Sequence, residues 1–228
     1  GEEVVFRCLN VHGCPAQKVR RMIHWVGKEA MNIDGVGEML IEQMVKAHLV
    51  EKPSDFYRLT EDSLLTLEHM GKKSATNILS AVQNSKQRPL AALVFALGIR
   101  HVGASVAELL ADRFNSMAAI SAATLEEMCA IEGVGRVIAE NVIEFFAQEE
   151  NRALIFELAE LGVKVEVDQD KQTVVLPQSL AAKTFVVTGT LEKLERLEAE
   201  KAIKARGGKA TSSVSKKTDY VVVGANPG

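Results

Sequence analysis

Apolar, polar and glycine residues follow one pattern that occurs four times along the chain. Each copy begins with isoleucine or leucine and ends with glycine four residues later, and a small or apolar residue stands four positions after that glycine. The copies start 34, 32 and 32 residues apart, a spacing typical of repeated structural units. They are called hairpin 1 (33–37, then Ile41), hairpin 2 (67–71, then Ala75), hairpin 3 (99–103, then Ala107) and hairpin 4 (131–135, then Ala139).

The residues around each copy predict a helix on either side. Ahead of hairpin 4, Thr124 and Glu127 have the spacing of a capping box, and after it Ile138, Val142, Ile143 and Phe146 fall on one helical stripe. The apolar residue between the two glycine positions should fill the space between the helices. These residues are Val36, Met70, Val102 and Val134. Each unit is therefore predicted to be helix, tight hairpin, helix.

Glycine in these hairpins predicts anion binding. We expect positive φ there and a close approach of the backbone to a ligand, while the free N–H groups of the second helix point at that ligand. In hairpins 2 and 3, His69 and His101 replace the first glycine, so we expect those hairpins to approach less closely. The predicted phosphate-binding set is Gly35, Gly37, Gly71, Gly103, Gly133 and Gly135, with the neighbouring cations Lys72, Lys73, Arg100 and Arg136.

Composition restricts how such a chain would hold a nucleic acid. Net charge is −3, and residues 18–163 hold 15 Lys and Arg against 20 Asp and Glu. A binder with a broad basic patch would be basic, so contact must come from local donors and a few cations. No apolar run approaches the roughly 18 residues of a membrane span, and three cysteines form no disulfide framework, which favours a reducing cytoplasm.

The two ends of the chain differ from the repeats. Cys8 and Cys14 are weak evidence for zinc, because a structural site needs four ligands, whereas Cys129 lies on an apolar helical face and is predicted to be in the core. Residues 164–181 have the character of a linker. After them, the strand 184–188, a helix through Ala199 and Ile203, and strands at 209–214 and 219–223 predict a small α/β module with a partly parallel sheet.

Three segments resemble the bacterial NAD-dependent DNA ligases, namely AMNIDGVG (30–37), FALGIRHVG (95–103) and SVSKKTDY (213–220). The resemblance covers the chain and implies the second half of a zinc finger (1–17, with Cys8 and Cys14), a four-repeat helix-hairpin-helix domain (18–163), a linker (164–181) and the start of a BRCT domain (182–228). Thr188, Gly189 and Arg196 would lie near the phosphate pocket found in one BRCT type, although a plain turn explains Thr188 and Gly189 equally well.

The resemblance also implies a parent enzyme that seals nicks in duplex DNA during replication and repair, using NAD and Mg, in the bacterial cytoplasm at the nucleoid. The lysine that becomes adenylated belongs to a Lys-x-Asp-Gly motif, which does not occur in this sequence. We therefore assign no catalytic residue and expect the fragment alone to be a non-catalytic, monomeric DNA-binding unit. The repeats are expected to form two pseudo-twofold pairs that grip phosphates across the minor groove without reading bases.

Two other classes of protein remain open from the sequence. One is the DNA-binding segment of a nuclease or helicase, although no cluster of metal-binding carboxylates is evident. The other is a protein-interaction module in which the BRCT portion is the working part. The DNA affinity of the hairpin segment separates this second alternative from a DNA-binding role.

Overall fold

The computed structural model describes residues 15–167, 179–189, 191, 196–211, 213–216 and 218–225. Contacts between Cα atoms divide the chain into two compact units, Gly1–Val167 and Asp168–Gly228. The predicted zinc ligands Cys8 and Cys14 lie outside the described residues. None of the described helices is long and apolar enough to cross a membrane.

The first unit is helical and contains all four hairpins. Hairpin 1 joins α1 (Pro15–Val26) to α2 (Glu38–Lys46), and hairpin 2 joins α3 (Glu61–Leu65) to α4 (Lys72–Ser85), with a 3-10 helix (Pro53–Arg58) between the two hairpins. Hairpin 3 joins α5 (Leu90–Ala96) to α6 (Ala104–Phe114). After α7 (Met117–Ala122), hairpin 4 joins α8 (Leu125–Cys129) to α9 (Arg136–Ala147), and α10 (Glu149–Glu160) follows. The predicted helix–hairpin–helix order is confirmed.

One continuous apolar core supports the hairpins, because the same repeat positions are buried in each copy. The residue four after the second glycine is at most 1% exposed in all four, and its N–H donates to the carbonyl of that glycine over 2.9–3.1 Å. The residues between the glycine positions also pack inward, as predicted: Val36, Val102 and Val134 are buried, whereas Met70 is half-buried.

Hairpins contact each other in pairs. An ideal Cβ placed on Gly35 would lie 3.4 Å from Cγ1 of Ile78 in α4, and one on Gly133 would lie 3.1 Å from Cδ1 of Leu109 in α6. Hairpin 1 therefore lies against the second helix of hairpin 2, and hairpin 4 against the second helix of hairpin 3. The fold thus pairs neighbouring repeats; the twofold relation within each pair stays a prediction.

Contacts between residues far apart in sequence hold the first unit together. Glu157 of α10 accepts hydrogen bonds from Lys52 Nζ (2.6 Å) and Ser54 Oγ (2.8 Å) and pairs with Arg58. On another face, His24 Nε2 of α1 lies 2.8 Å from the carbonyl oxygen of Phe95 in α5. These contacts join segments around hairpins 1 and 2 to segments around hairpins 3 and 4.

The second unit has the predicted α/β character. Strand β1 (Thr184–Thr188) is central in a three-stranded sheet of order β2-β1-β3, with both pairings parallel, and α11 (Arg196–Ala205) connects β1 to β2. Strand β2 (Lys209–Thr211) ends earlier than the predicted 209–214, and β3 spans Tyr220–Val223. Phe185, Val187, Ala199 and Ile203 form its small core. The prediction of a mainly α fold with a small α/β module is confirmed.

Candidate nucleic-acid interface

The first glycine position of every hairpin has a left-handed backbone. The φ angles are +84° at Gly35 and +95° at Gly133, and they remain positive at His69 (+60°) and His101 (+63°), where the residue has a side chain. The prediction of positive φ is therefore correct for the two glycines at this position, and the two histidines have the same sign of φ. It also means that replacing glycine by histidine leaves the hairpin in the same backbone region.

The second glycine position has a different conformation, and here the prediction of positive φ was wrong. Gly37, Gly71, Gly103 and Gly135 have φ between −98° and −80° and ψ between 160° and 178°. Any L-residue adopts such angles. Each of these glycines is the N-cap of the helix that follows, because an N-cap residue has an extended backbone just before the first helical turn.

No contact within the described part of the chain requires glycine at these four N-caps. A Cβ added to any of them would have no heavy atom within 4 Å, and all four residues are exposed. Serine, threonine, aspartate and asparagine are favoured at an N-cap because the side-chain oxygen accepts a hydrogen bond from the first turn, and glycine is also common there but leaves the first turn uncovered. Glycine at four equivalent, open positions therefore leaves room for something outside the chain.

Three other helices of the same unit have the side-chain caps that these four lack, whereas α5 and α10 also begin without one. Thr60, Ser116 and Thr124 accept hydrogen bonds from the backbone N–H groups of Ser63, Ala119 and Glu127, at 3.1–3.2 Å. The predicted capping box of Thr124 and Glu127 is present. In contrast, the helices α2, α4, α6 and α9 start at the glycines with no side-chain cap.

The uncapped helix starts are suited to anions. The first N–H groups of a helix have no acceptor within it, and the helix dipole places partial positive charge at the same end. A glycine N-cap removes the side chain that would otherwise shield these groups. Each hairpin therefore exposes polarised backbone donors at a place where a phosphate oxygen could approach them closely.

The predicted cations lie beside three of the hairpins, and all are exposed. Lys72 and Lys73 begin α4, Arg100 precedes His101 in hairpin 3, and Arg136 begins α9. Arg136 Nε donates to Glu140 Oε1 over 2.7 Å, and this hydrogen bond raises the pKa of the guanidinium. Arg136 is thus charged but shares its charge with a carboxylate on the next turn.

Hairpin 1 has acidic neighbours instead, because Asp34 and Glu38 flank its glycines. Two exposed apolar residues were also missed from the sequence. Met39 and Val137 are the second residues of α2 and α9, and they are 78% and 60% exposed. Aligning the four copies at the second glycine would have found them, since the equivalent residues in hairpins 2 and 3 are Lys73 and Ser105.

The structure gives Gly189 an internal reason to be glycine. Its φ is +77°, and a Cβ there would lie 2.8 Å from the carbonyl oxygen of Ala225. Thr188 ends β1 and Arg196 begins α11, but the Arg196 side chain is outside the described residues. This packing supports the plain turn; the anion pocket of Thr188, Gly189 and Arg196 stays a prediction.

The remaining candidates concern thiol and metal chemistry. Cys129 is exposed, so the prediction that it belongs to the core was wrong; it is the last residue of α8, and its neighbour Met128 is fully buried. Among the described residues, no three His, Cys, Asp or Glu side chains are grouped to hold a metal ion.

Family models match three parts of the chain. Residues 28–84 match a SAM-like helix-hairpin-helix tandem, residues 92–155 a helix-hairpin-helix motif, and residues 178–228 a BRCA1 C Terminus (BRCT) domain. The first match contains hairpins 1 and 2, and the second contains hairpins 3 and 4.

Relatives match the chain from end to end. It is 48% identical over 228 residues to a protein of Halothermothrix orenii, 47% over 227 residues to one of Anoxybacillus flavithermus and 46% over 226 residues to one of Roseiflexus sp.. Each of these proteins is named DNA ligase. The matches cover 99–100% of this chain but only 31–34% of the relatives, so the chain spans about a third of their length.

Proposed function

We propose that this chain, which belongs to the family of bacterial NAD-dependent DNA ligases, is the part of such an enzyme that holds duplex DNA by its phosphates. Each hairpin would direct the backbone N–H groups at the start of α2, α4, α6 or α9 towards a phosphate oxygen. Because every nucleotide has the same phosphate, such contacts position the protein without reading base sequence.

The observation that carries this proposal is that an exposed glycine precedes all four hairpin helices. Elsewhere in the unit, side chains cap α3, α7 and α8, and α5 and α10 follow Pro89 and Gln148 without a side-chain cap. Packing against the described residues does not require glycine at Gly37, Gly71, Gly103 and Gly135, and none of these four helix starts has a side-chain cap. Close approach of an external anion explains both, because a Cβ would stand between the anion and the N–H groups.

The charge of the chain fits this mode of binding. With a net charge of −3, the protein has little general attraction for DNA, and affinity must come from the hairpins and the cations beside them. Lys72, Lys73, Arg100 and Arg136 are well placed to add charge at hairpins 2, 3 and 4. We expect a modest dependence on salt, since each neutralised phosphate contributes about 0.9 to the slope of log K against log salt.

We further propose that the parent enzyme seals nicks with NAD and Mg, and that this chain contributes DNA binding but no catalytic residue. The sequence contains no Lys-x-Asp-Gly motif to accept an adenylyl group. Incubating the chain with NAD labelled in its adenylate portion, followed by denaturing electrophoresis, should leave the protein unlabelled. A labelled band of 24.8 kDa would contradict this part of the proposal.

The DNA-binding proposal is tested most sharply by Gly135→Asp. Aspartate is a preferred N-cap, so the variant should be as stable as the parent chain or a few tenths of a kcal/mol more stable. Its carboxylate would occupy the N–H groups of α9 and repel phosphate. Loss of hydrogen bonds to a charged group costs about 1.5–3 kcal/mol, so affinity should fall roughly tenfold to a hundredfold.

Thr60→Asp is the matched control. It makes the same charge change at the N-cap of α3, a helix start that already has a side-chain cap, and it should bind DNA nearly as the parent chain does. Fluorescence anisotropy with nicked and intact duplexes of two sequences measures affinity, and urea unfolding checks the fold. Equal affinity of a folded Gly135→Asp variant would reject the hairpin mechanism and favour the protein-interaction alternative.

A further inference from the structure

Two histidines have an unusual backbone at the hairpins. His69 and His101 have φ of +60° and +63°, a region that costs an L-residue about 1–2 kcal/mol. The equivalent residues in hairpins 1 and 4 are glycine, which avoids this cost. Both histidines are exposed, so burial of the imidazole does not compensate for the backbone.

These side chains are not engaged within the described part of the chain. His24 contacts the Phe95 carbonyl oxygen, and His48 Nδ1 lies 2.8 Å from Glu51 Oε1. In contrast, neither His69 nor His101 has a hydrogen bond, ion pair or ring contact with a described residue. Each lies two residues before an uncapped helix start, Gly71 or Gly103.

The charged residues around the two histidines differ. The elements that form or contact hairpin 2 carry mixed charge: Asp34, Glu38, Asp55, Arg58, Glu61, Asp62, Glu68, Lys72 and Lys73. Those that form or contact hairpin 3 also include both signs: Arg20, Arg21, His24, Arg100, Glu108, Asp112, Arg113, Glu132 and Arg136. Neither His69 nor His101 forms an ion pair with a described residue, so an external anion is free to act on them.

We propose that His69 and His101 bind DNA phosphates as imidazolium ions, so that the chain takes up protons from solvent when hairpins 2 and 3 close on the duplex. This inference rests on the proposed phosphate binding at the hairpins and adds the two side chains to it. It gives the histidines a role that glycine cannot perform. In hairpins 2 and 3, the charged contact between histidine and phosphate would offset the strain of the left-handed backbone, which glycine avoids.

Proton uptake has a definite direction with pH. An adjacent phosphate favours the charged form of an imidazole, and histidine is the side chain whose charge ordinarily changes between pH 8 and 5. Affinity should therefore increase as the pH is lowered across this range. We expect an increase of up to about tenfold for each histidine.

The test compares the whole chain with two double variants by anisotropy between pH 8.5 and 5.5 at constant ionic strength. Asparagine tolerates the left-handed backbone but does not titrate, so His69→Asn with His101→Asn should remove most of the tightening at low pH. His69→Arg with His101→Arg should bind tightly even at pH 8 and show little dependence on pH. A role limited to hairpin structure would not produce this opposite behaviour.

His48→Asn is the matched control, because His48 is also exposed and left-handed, with φ of +56°, but pairs with Glu51. It should keep the pH dependence of the parent chain. The inference is overturned if the Asn double variant, shown to be folded by urea unfolding, tightens at low pH as the parent does. Failure of the parent chain to bind at any pH would instead reject the proposed function.

Discussion

Hairpins 1 and 4 differ from hairpins 2 and 3 at the first glycine position. Gly35 and Gly133 have the larger φ angles, +84° and +95°, and each lies against a side chain of the neighbouring repeat, Ile78 or Leu109. His69 and His101 have the same left-handed backbone, but their side chains are exposed. Both pairs of repeats thus contain one hairpin of each kind.

The difference shows that glycine occurs in these hairpins for two separate reasons. At the first position, backbone conformation and internal packing favour it, and histidine replaces it where the surroundings leave room. At the second position, internal contacts do not require it in any hairpin, yet all four copies have it. Substitutions of the first-position glycines, Gly35 and Gly133, should therefore act on stability, and substitutions at the second position should act on DNA binding.

The largest effect on stability should come from adding a Cβ to the first glycine of hairpins 1 and 4. Gly35→Ala and Gly133→Ala force an alanine into the left-handed region, at a cost of about 1–2 kcal/mol. Gly133→Ala should be the more severe, because its Cβ would lie 3.1 Å from Leu109 Cδ1, compared with 3.4 Å from Ile78 for Gly35. Urea unfolding followed by circular dichroism measures the loss.

His69→Ala and His101→Ala are the matched controls in hairpins 2 and 3. Histidine already has a Cβ in the same backbone region, so removing the ring should change the free energy of unfolding by less than about 0.5 kcal/mol, as for other exposed sites. If the histidine variants lose as much stability as the glycine variants, the two kinds of hairpin do not differ in the way proposed.

The sequence predicted features that depend on neighbours along the chain. Repeat spacing located all four hairpins, and the capping box at Thr124 and Glu127 needed only two residues three positions apart. The error at Gly135 has a physical cause: the letter G does not distinguish a left-handed residue from an extended N-cap. Cys129 and Ile143, the latter 37% exposed, were assigned to apolar faces, but burial depends on which neighbour covers a face.

Contacts between distant segments could not be predicted in this way. Lys52 and Glu157 are 105 residues apart and meet only because α10 packs against the 3-10 helix. His24 and Phe95 meet across 71 residues. Charged residues on a helix are usually solvated, so no local pattern marks Glu157 as different from the other carboxylates of α10.

The second prediction concerns Glu157 and its partners Lys52, Ser54 and Arg58, which should stabilise both kinds of hairpin equally. Partial burial disfavours the carboxylate, but hydrogen bonds from Lys52, Ser54 and Arg58 outweigh it and lower the pKa of Glu157 below its ordinary 4.5. Glu157→Gln should therefore destabilise the chain at pH 7. Since Lys52 and Arg58 are half-exposed, we expect no more than about 1 kcal/mol.

The lowered pKa also fixes the direction of the pH effect. The contribution of Glu157 is fully present above about pH 4.5 and is lost as the pH falls through the lower pKa of the folded state. The parent chain and Glu157→Gln should thus differ in urea unfolding at pH 7, and the difference should shrink as the pH falls below 4.5. A difference that stays constant with pH would mean that packing, and not charge, makes the cluster stabilising.

The smallest predicted effect separates the two glycine-containing hairpins by charge. Arg136 begins α9 beside hairpin 4, whereas Glu38 occupies the equivalent position beside hairpin 1. Arg136→Ala should weaken DNA binding equally for different sequences and reduce the slope of log K against log salt by about one unit.

Glu140→Gln should have the opposite effect on DNA binding, because Glu140 accepts a 2.7 Å hydrogen bond from Arg136 Nε. Removing this acceptor frees the guanidinium for phosphate. Glu38→Gln should strengthen binding by removing a negative charge beside hairpin 1 without adding a contact. Anisotropy at salt concentrations from 50 to 200 mM measures all three variants. An unchanged slope in Arg136→Ala would mean that this arginine serves only its ion pair with Glu140, and that hairpin 4 binds phosphate through backbone N–H groups alone.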